Sequence, residues 1–122
     1  MKLFDNAMTL LQRALDVRLQ RQNVLASNAA NIDTPGFKEK DVDFDRAMAG
    51  VLAADGSEGR GDAVRAATRE VDNALAGLDG NSVDLDRTMV AMAENGLQYG
   101  AATRAIGKKL AILKYVANDG IG

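Results

Sequence analysis

From Phe4 onward, apolar side chains recur at alternating intervals of four and three. Phe4, Met8, Leu11 and Leu15 lead, Arg18 and Gln22 make a polar break, and Leu25, Ala29 and Ile32 complete the row. A neighbouring row, Leu3, Ala7, Leu10, Ala14, Val17, Arg21 and Val24, widens the stripe. A mean spacing of about 3.5 residues, sustained in this way, predicts a helix over 2–31 with a coiled-coil-like seam. The last third repeats the spacing through Leu85, Met89, Met92, Gly96, Tyr99, Thr103, Ile106, Leu110, Leu113 and Ala117, which predicts a second helix over 84–117. Asp84 suits its N-cap and Asp86 its first turn. Lys108, Lys109 and Lys114 suit its negative pole, and Asn118-Asp119-Gly120 stops it. Gly96, Gly100 and Gly107 each cost roughly 1 kcal/mol against alanine in a helix, and they allow close approach of a neighbouring backbone.

Between the helices the pattern weakens. Residues 32–48 read as a turn and loop, and Val42–Met48 alternates briefly as a short strand or a helical turn. Residues 49–82 read as a flexible middle: Val51–Ala63 is rich in glycine and mixed charge, and Ala63–Gly77 has the makings of a short helix with little amphipathic preference. Asp79-Gly80-Asn81-Ser82 is turn chemistry. The chain as a whole, 1–122, reads as a single, mainly α domain. Its two long terminal helices form a hairpin or an intermolecular bundle. One hairpin does not bury both wide faces, so the surplus apolar surface points to assembly with other chains.

Composition narrows the classes. Apolar residues make up 47%, but the chain has three Phe, two Tyr and no Trp, so large core-filling side chains are scarce. Net charge is −2, with the acidic surplus in the middle, which gives no reason to expect nucleic-acid binding. There is neither cysteine nor histidine, so thiolate metal sites are ruled out and the commonest general base is missing. Charged residues interrupt the N-terminal stretch, which reads as no cleavable signal. No apolar run approaches the length of a membrane span.

Ser27–Phe37, SNAANIDTPGF, is the distinctive stretch. Asn28 and Asn31 suit a helix end, where they bond free backbone groups or take left-handed angles. Thr34 is pushed out of the helical region by Pro35. Pro35-Gly36 fits the centre of a type II turn, after which Phe37 folds back onto the helix. With its continuation FKEKDVDFDRAM and the later LDGNSVDLDRTMVAMAENGLQYG, this stretch resembles the signature of the flagellar axial proteins that build rod and hook. The resemblance covers roughly 2–48 and 78–117, and within the family it is to a short proximal-rod subunit. It implies a structural protein exported by the flagellar type III apparatus, synthesised in the cytoplasm and assembled across the periplasm. It also implies contacts with copies of itself and other rod and basal-body proteins through the terminal helices. Phe4 and Met8 further resemble an export-gate recognition element of early substrates, though they are equally the first two seam positions.

Nothing suggests an enzyme, a cofactor or a small-molecule substrate. Asp41, Asp43 and Asp45 lack the spacing of a calcium loop, and Asp84 and Asp86 read as capping. Met89 and Met92 read as packing. The alternatives are a related short rod subunit of the same family and a cytoplasmic coiled-coil adaptor.

Overall fold

A computed structural model describes residues 2–72 and 78–119. Helix α1 spans Lys2–Ala30, strand β1 Lys40–Val42, α2 Phe44–Ala53, α3 Gly56–Ala66, β2 Thr68–Glu70 and α4 Leu85–Asp119. The fold is mainly α. The two long helices run antiparallel along each other: Lys109 lies over the Phe4 ring, and the Asn95 amide reaches Arg18 and Gln22. Asp84 caps α4 as its sequence implies, its Oδ1 accepting from the Arg87 N–H at 3.1 Å.

On α1 the expected seam faces inward throughout, from Phe4, Met8, Leu11 and Leu15 to a buried Leu25 and a half-buried Ile32. On α4 only half of it does. Met92, Ile106 and Leu113 are partly buried, and Tyr99 sits at the edge of exposure. Leu85, Met89 and Leu110 are exposed, as are Gly96 and Thr103. The row that replaces them is Thr88, Asn95, Ala102 and Lys109. It keeps the same interval but is rotated inward, where Asn95 bonds to α1 and Thr88 to Glu39 in the loop that follows α1. An apolar stripe on the outer side of α4 is left uncovered.

The expected flexible middle is a correction. Residues 49–82 carry the end of α2, all of α3 and β2. Asp43 caps α2, accepting from the Arg46 N–H at 3.1 Å. That bond holds the Asp43 carboxyl below its usual range, so the cap contributes above the ordinary Asp pKa and is lost as pH falls through the depressed one. Strands β1 and β2 pair antiparallel with Asp41 opposite Arg69. Small residues then let the short helices close: a Cβ at Gly50 would lie 2.9 Å from that of Ala63. The result is a core of Val17, Val42, Ala47, Val51, Val64 and Ala67. The chain's own middle therefore covers the second row of α1 at Val17 and Val24, while Leu3 and Leu10 of the same row stay exposed. Two expectations fall partly outside the described residues: a helix reaching Gly77, and the stop at Gly120.

Candidate functional site

The end of α1 is held by side chains that substitute for backbone partners. Asn28 is fully buried (0% exposed) in its last turns. Its amide donates to the Lys40 carbonyl at 2.6 Å, and its Oδ1 accepts from the Lys40 N–H at 3.0 Å. One side chain thus pairs with β1 as a strand would. Asn31 stays local, donating from Nδ2 to the Ser27 carbonyl at 2.7 Å and accepting from the Thr34 hydroxyl at 3.0 Å. Among the described residues no non-glycine has positive φ, so both asparagines act by bonding and neither by left-handed geometry.

Thr34–Phe37 is a hydrogen-bonded turn, with the Phe37 N–H donating to the Thr34 carbonyl at 3.2 Å. Gly36 has φ of 75°, the left-handed angle that the third position of a type II turn requires. Thr34, Pro35 and Gly36 are exposed and Phe37 is half-buried.

A second segment grips this turn from the far side of the sequence. Asn81 Nδ2 donates to the Asn31 carbonyl at 2.8 Å and to that of Thr34 at 2.7 Å. The Gly36 N–H donates to the Asp79 carbonyl at 2.9 Å, and the Ser82 N–H to that of Phe37 at 3.0 Å. Lys38 Nζ caps the Gly80 carbonyl at 2.7 Å. Deeper in, Glu39 is buried; its carboxylate accepts from Arg87 at 2.6 Å and from the Thr88 hydroxyl at 3.1 Å. The network welds three segments, the end of α1, the loop 31–40 and the strap 79–88, into one elbow.

Beside it, Arg21 makes a two-pronged pair with Asp41, at 2.8 and 3.0 Å. That hydrogen bonding raises the Arg21 pKa. Arg18 instead stacks over Phe44, 3.9 Å from its centroid. Burial, and then the charge of Arg21, lower its pKa.

The sequence-derived motif residues Asn28, Asn31, Thr34, Pro35, Gly36 and Phe37 therefore sit together. The seam residues do not form one site, and Phe4 and Met8 lie half-buried at the opposite end of the hairpin. Asn81, Glu39, Thr88 and Asn95 were missed by sequence reasoning. Asn81 was visible only as turn chemistry, and Thr88 and Asn95 only as polar positions seven apart on an apolar helix. The acidic clusters are committed elsewhere: Asp41 to Arg21, Asp43 to its cap and to Arg69, Asp84 to its own cap. No group of three acidic side chains able to hold a metal occurs among the described residues. The arrangement fixes direction and presents a rigid turn.

A family model described as "Flagella basal body rod protein" matches residues 8–38, which is most of α1 and the turn. The flagellar basal body rod protein FlgB of Salmonella typhimurium is 33% identical over 95% of this chain and 96% of its own. That of Aeromonas hydrophila is 35% identical over 88% and 89%, and that of Bacillus subtilis 31% over 98% and 99%.

Proposed function

Because this chain belongs to the FlgB family of flagellar basal body rod proteins, we propose that it is a structural subunit of the proximal rod. In this reading it leaves the cytoplasm through the flagellar type III apparatus and joins a drive shaft that crosses the periplasm and transmits torque. The observation that carries the reading is the elbow: a polar network tying loop to helix at a fixed angle, whose helix end and turn lie in the stretch the family model covers. A shaft subunit needs such a joint, because torque passes only through parts that keep their angles. Its neighbours are other rod and basal-body components and copies of itself. The exposed seam residues Leu85, Met89 and Leu110 contact those neighbours, while Met92, Ile106 and Leu113 serve the hairpin and Tyr99 lies at its edge. A cytoplasmic coiled-coil adaptor would need no exposed Thr-Pro-Gly turn.

The test is an epitope-tagged copy followed into purified hook–basal bodies. Co-purification of the tag with the rod after acid and detergent washing supports the reading. Complete basal bodies with the tag left in the cytoplasm overturn it. A finer prediction concerns the turn. Gly36→Ala forces a Cβ onto a φ of 75°, at about 1–2 kcal/mol. Secretion should persist while incorporation into rods and motility fall. Normal motility would reduce the turn to a passive junction.

Phe4 and Met8 are proposed to serve export recognition as well as packing. Phe4→Ala should then reduce secretion while the helix content of the purified chain stays unchanged. Unchanged secretion would leave both residues with packing alone.

A further inference from the structure

Asn95-Gly96 is the one place in the sequence where asparagine precedes glycine. In an open chain that pair is chemically unstable. The glycine backbone nitrogen attacks the asparagine Cγ, the new C–N bond closes a cyclic imide, and the side-chain nitrogen leaves as ammonia. Water then opens the ring at either carbonyl, giving aspartate or isoaspartate. Glycine is the most permissive neighbour, because no Cβ shields its nitrogen and its backbone angles are least restricted.

In the folded chain the requirements of that attack are withheld. Both residues lie inside α4, Leu85–Asp119. A helical ψ turns the Gly96 nitrogen away from the Asn95 Cγ, and the N–H of a helix interior is committed to the carbonyl one turn back. The Asn95 amide is clamped: Nδ2 donates to the Arg18 carbonyl and to Gln22 Oε1, both at 2.8 Å. The side chain is buried, so bulk water does not reach it. Its Oδ1 has no hydrogen-bond partner among the described residues. That oxygen takes up negative charge as the ring closes, and with no donor facing it the charge is not stabilised.

The product does not fit where the amide sat. An aspartate at this position turns only acceptor oxygens toward the Arg18 carbonyl and buries a charge. An isoaspartate adds a carbon to the backbone of α4 and breaks its register. We propose that Asn95-Gly96 is a self-modification site silenced by the α1–α4 hairpin: a chain that stays open converts there to the acid, and a converted chain closes the hairpin less firmly than its parent. The chain thus carries an irreversible record of time spent unfolded. This goes beyond the subunit reading and stands on the hairpin alone, so the fate of a tagged copy in basal bodies leaves it untouched.

The purified chain, aged at mildly alkaline pH in buffer and in guanidinium chloride, is digested and followed by peptide mass spectrometry. The peptide holding Asn95 should convert about tenfold faster or more in the denaturant, where no opening of the fold is needed. Gly96→Ala should suppress the conversion in denaturant; that variant folds, since a Cβ there meets nothing within 4 Å. The aged chain, separated by its extra negative charge and freed of denaturant, should unfold at a lower denaturant concentration than the parent, as should Asn95→Asp. Equal rates in the two solvents overturn the protection. An undiminished rate in Gly96→Ala shows that the pair is not the reacting site. Parental unfolding midpoints in both the aged chain and Asn95→Asp overturn the consequence for the hairpin. Any one of these results sinks the inference.

Discussion

Asn28→Ala is expected to lower the stability of the folded chain by about 3 kcal/mol, the sum of two part-buried backbone groups each losing its partner at roughly 1–3 kcal/mol. The Lys40 N–H and carbonyl both turn to this one amide, and alanine reaches neither. The vacated volume adds to the loss, because Asn28 is among the largest fully buried side chains. Urea denaturation measures it directly. Asn31→Ala is the internal control. Its amide serves an exposed carbonyl four residues back, which water can take over, so its cost stays below about 1 kcal/mol. Equal losses at the two positions would mean that Asn28 does not brace β1.

Arg87→Ala should be nearly as damaging, at about 2–3 kcal/mol. It leaves the Glu39 carboxylate inside the elbow with the Thr88 hydroxyl alone, and that hydroxyl also faces the Asp84 carbonyl at 2.8 Å. Removing one partner of a buried ion pair commonly costs about 3–5 kcal/mol. The expected value is lower because only one end is deeply buried: the Glu39 side chain is 4% exposed and that of Arg87 47%. The diagnostic is the double variant. Glu39→Gln combined with Arg87→Ala should recover at least half of the loss, since a neutral amide needs no cation beside it. A double variant no more stable than Arg87→Ala would show that Arg87 acts by packing alone.

Much of the frame was legible as a pattern. On α1 the four-three spacing names the inward residues, because there the buried side chains are mostly apolar. On α4 the same reading finds Met92, Ile106 and Leu113 but replaces Thr88 and Asn95 with Met89 and Gly96. A hydrophobic pattern does not register a polar side chain that is buried to reach a carbonyl. In the middle, glycines and alanines read as slack. They are what lets α2 and α3 approach, with Gly50 against Ala63, and a short strand pair and an aspartate cap supply the order that propensity does not. The motif residues were visible as a group. Their grip was not, since it comes from Asn81, Glu39 and Arg87, separated from their partners by 47 to 50 positions.

Those separations also set an order of events. Asn28 finds Lys40 within its own segment, but the Asn31, Thr34 and Glu39 groups meet their distant partners only after the strap 79–88 has become available, so a chain appearing N-terminus first carries its joint unfinished for most of its length. Closing a loop of this size costs chain entropy before any contact rewards it, whereas the contacts of a helix are all local. The joint is therefore a late product of folding: α1 has time to wind first, and the angle it makes with the loop is set only as α4 arrives.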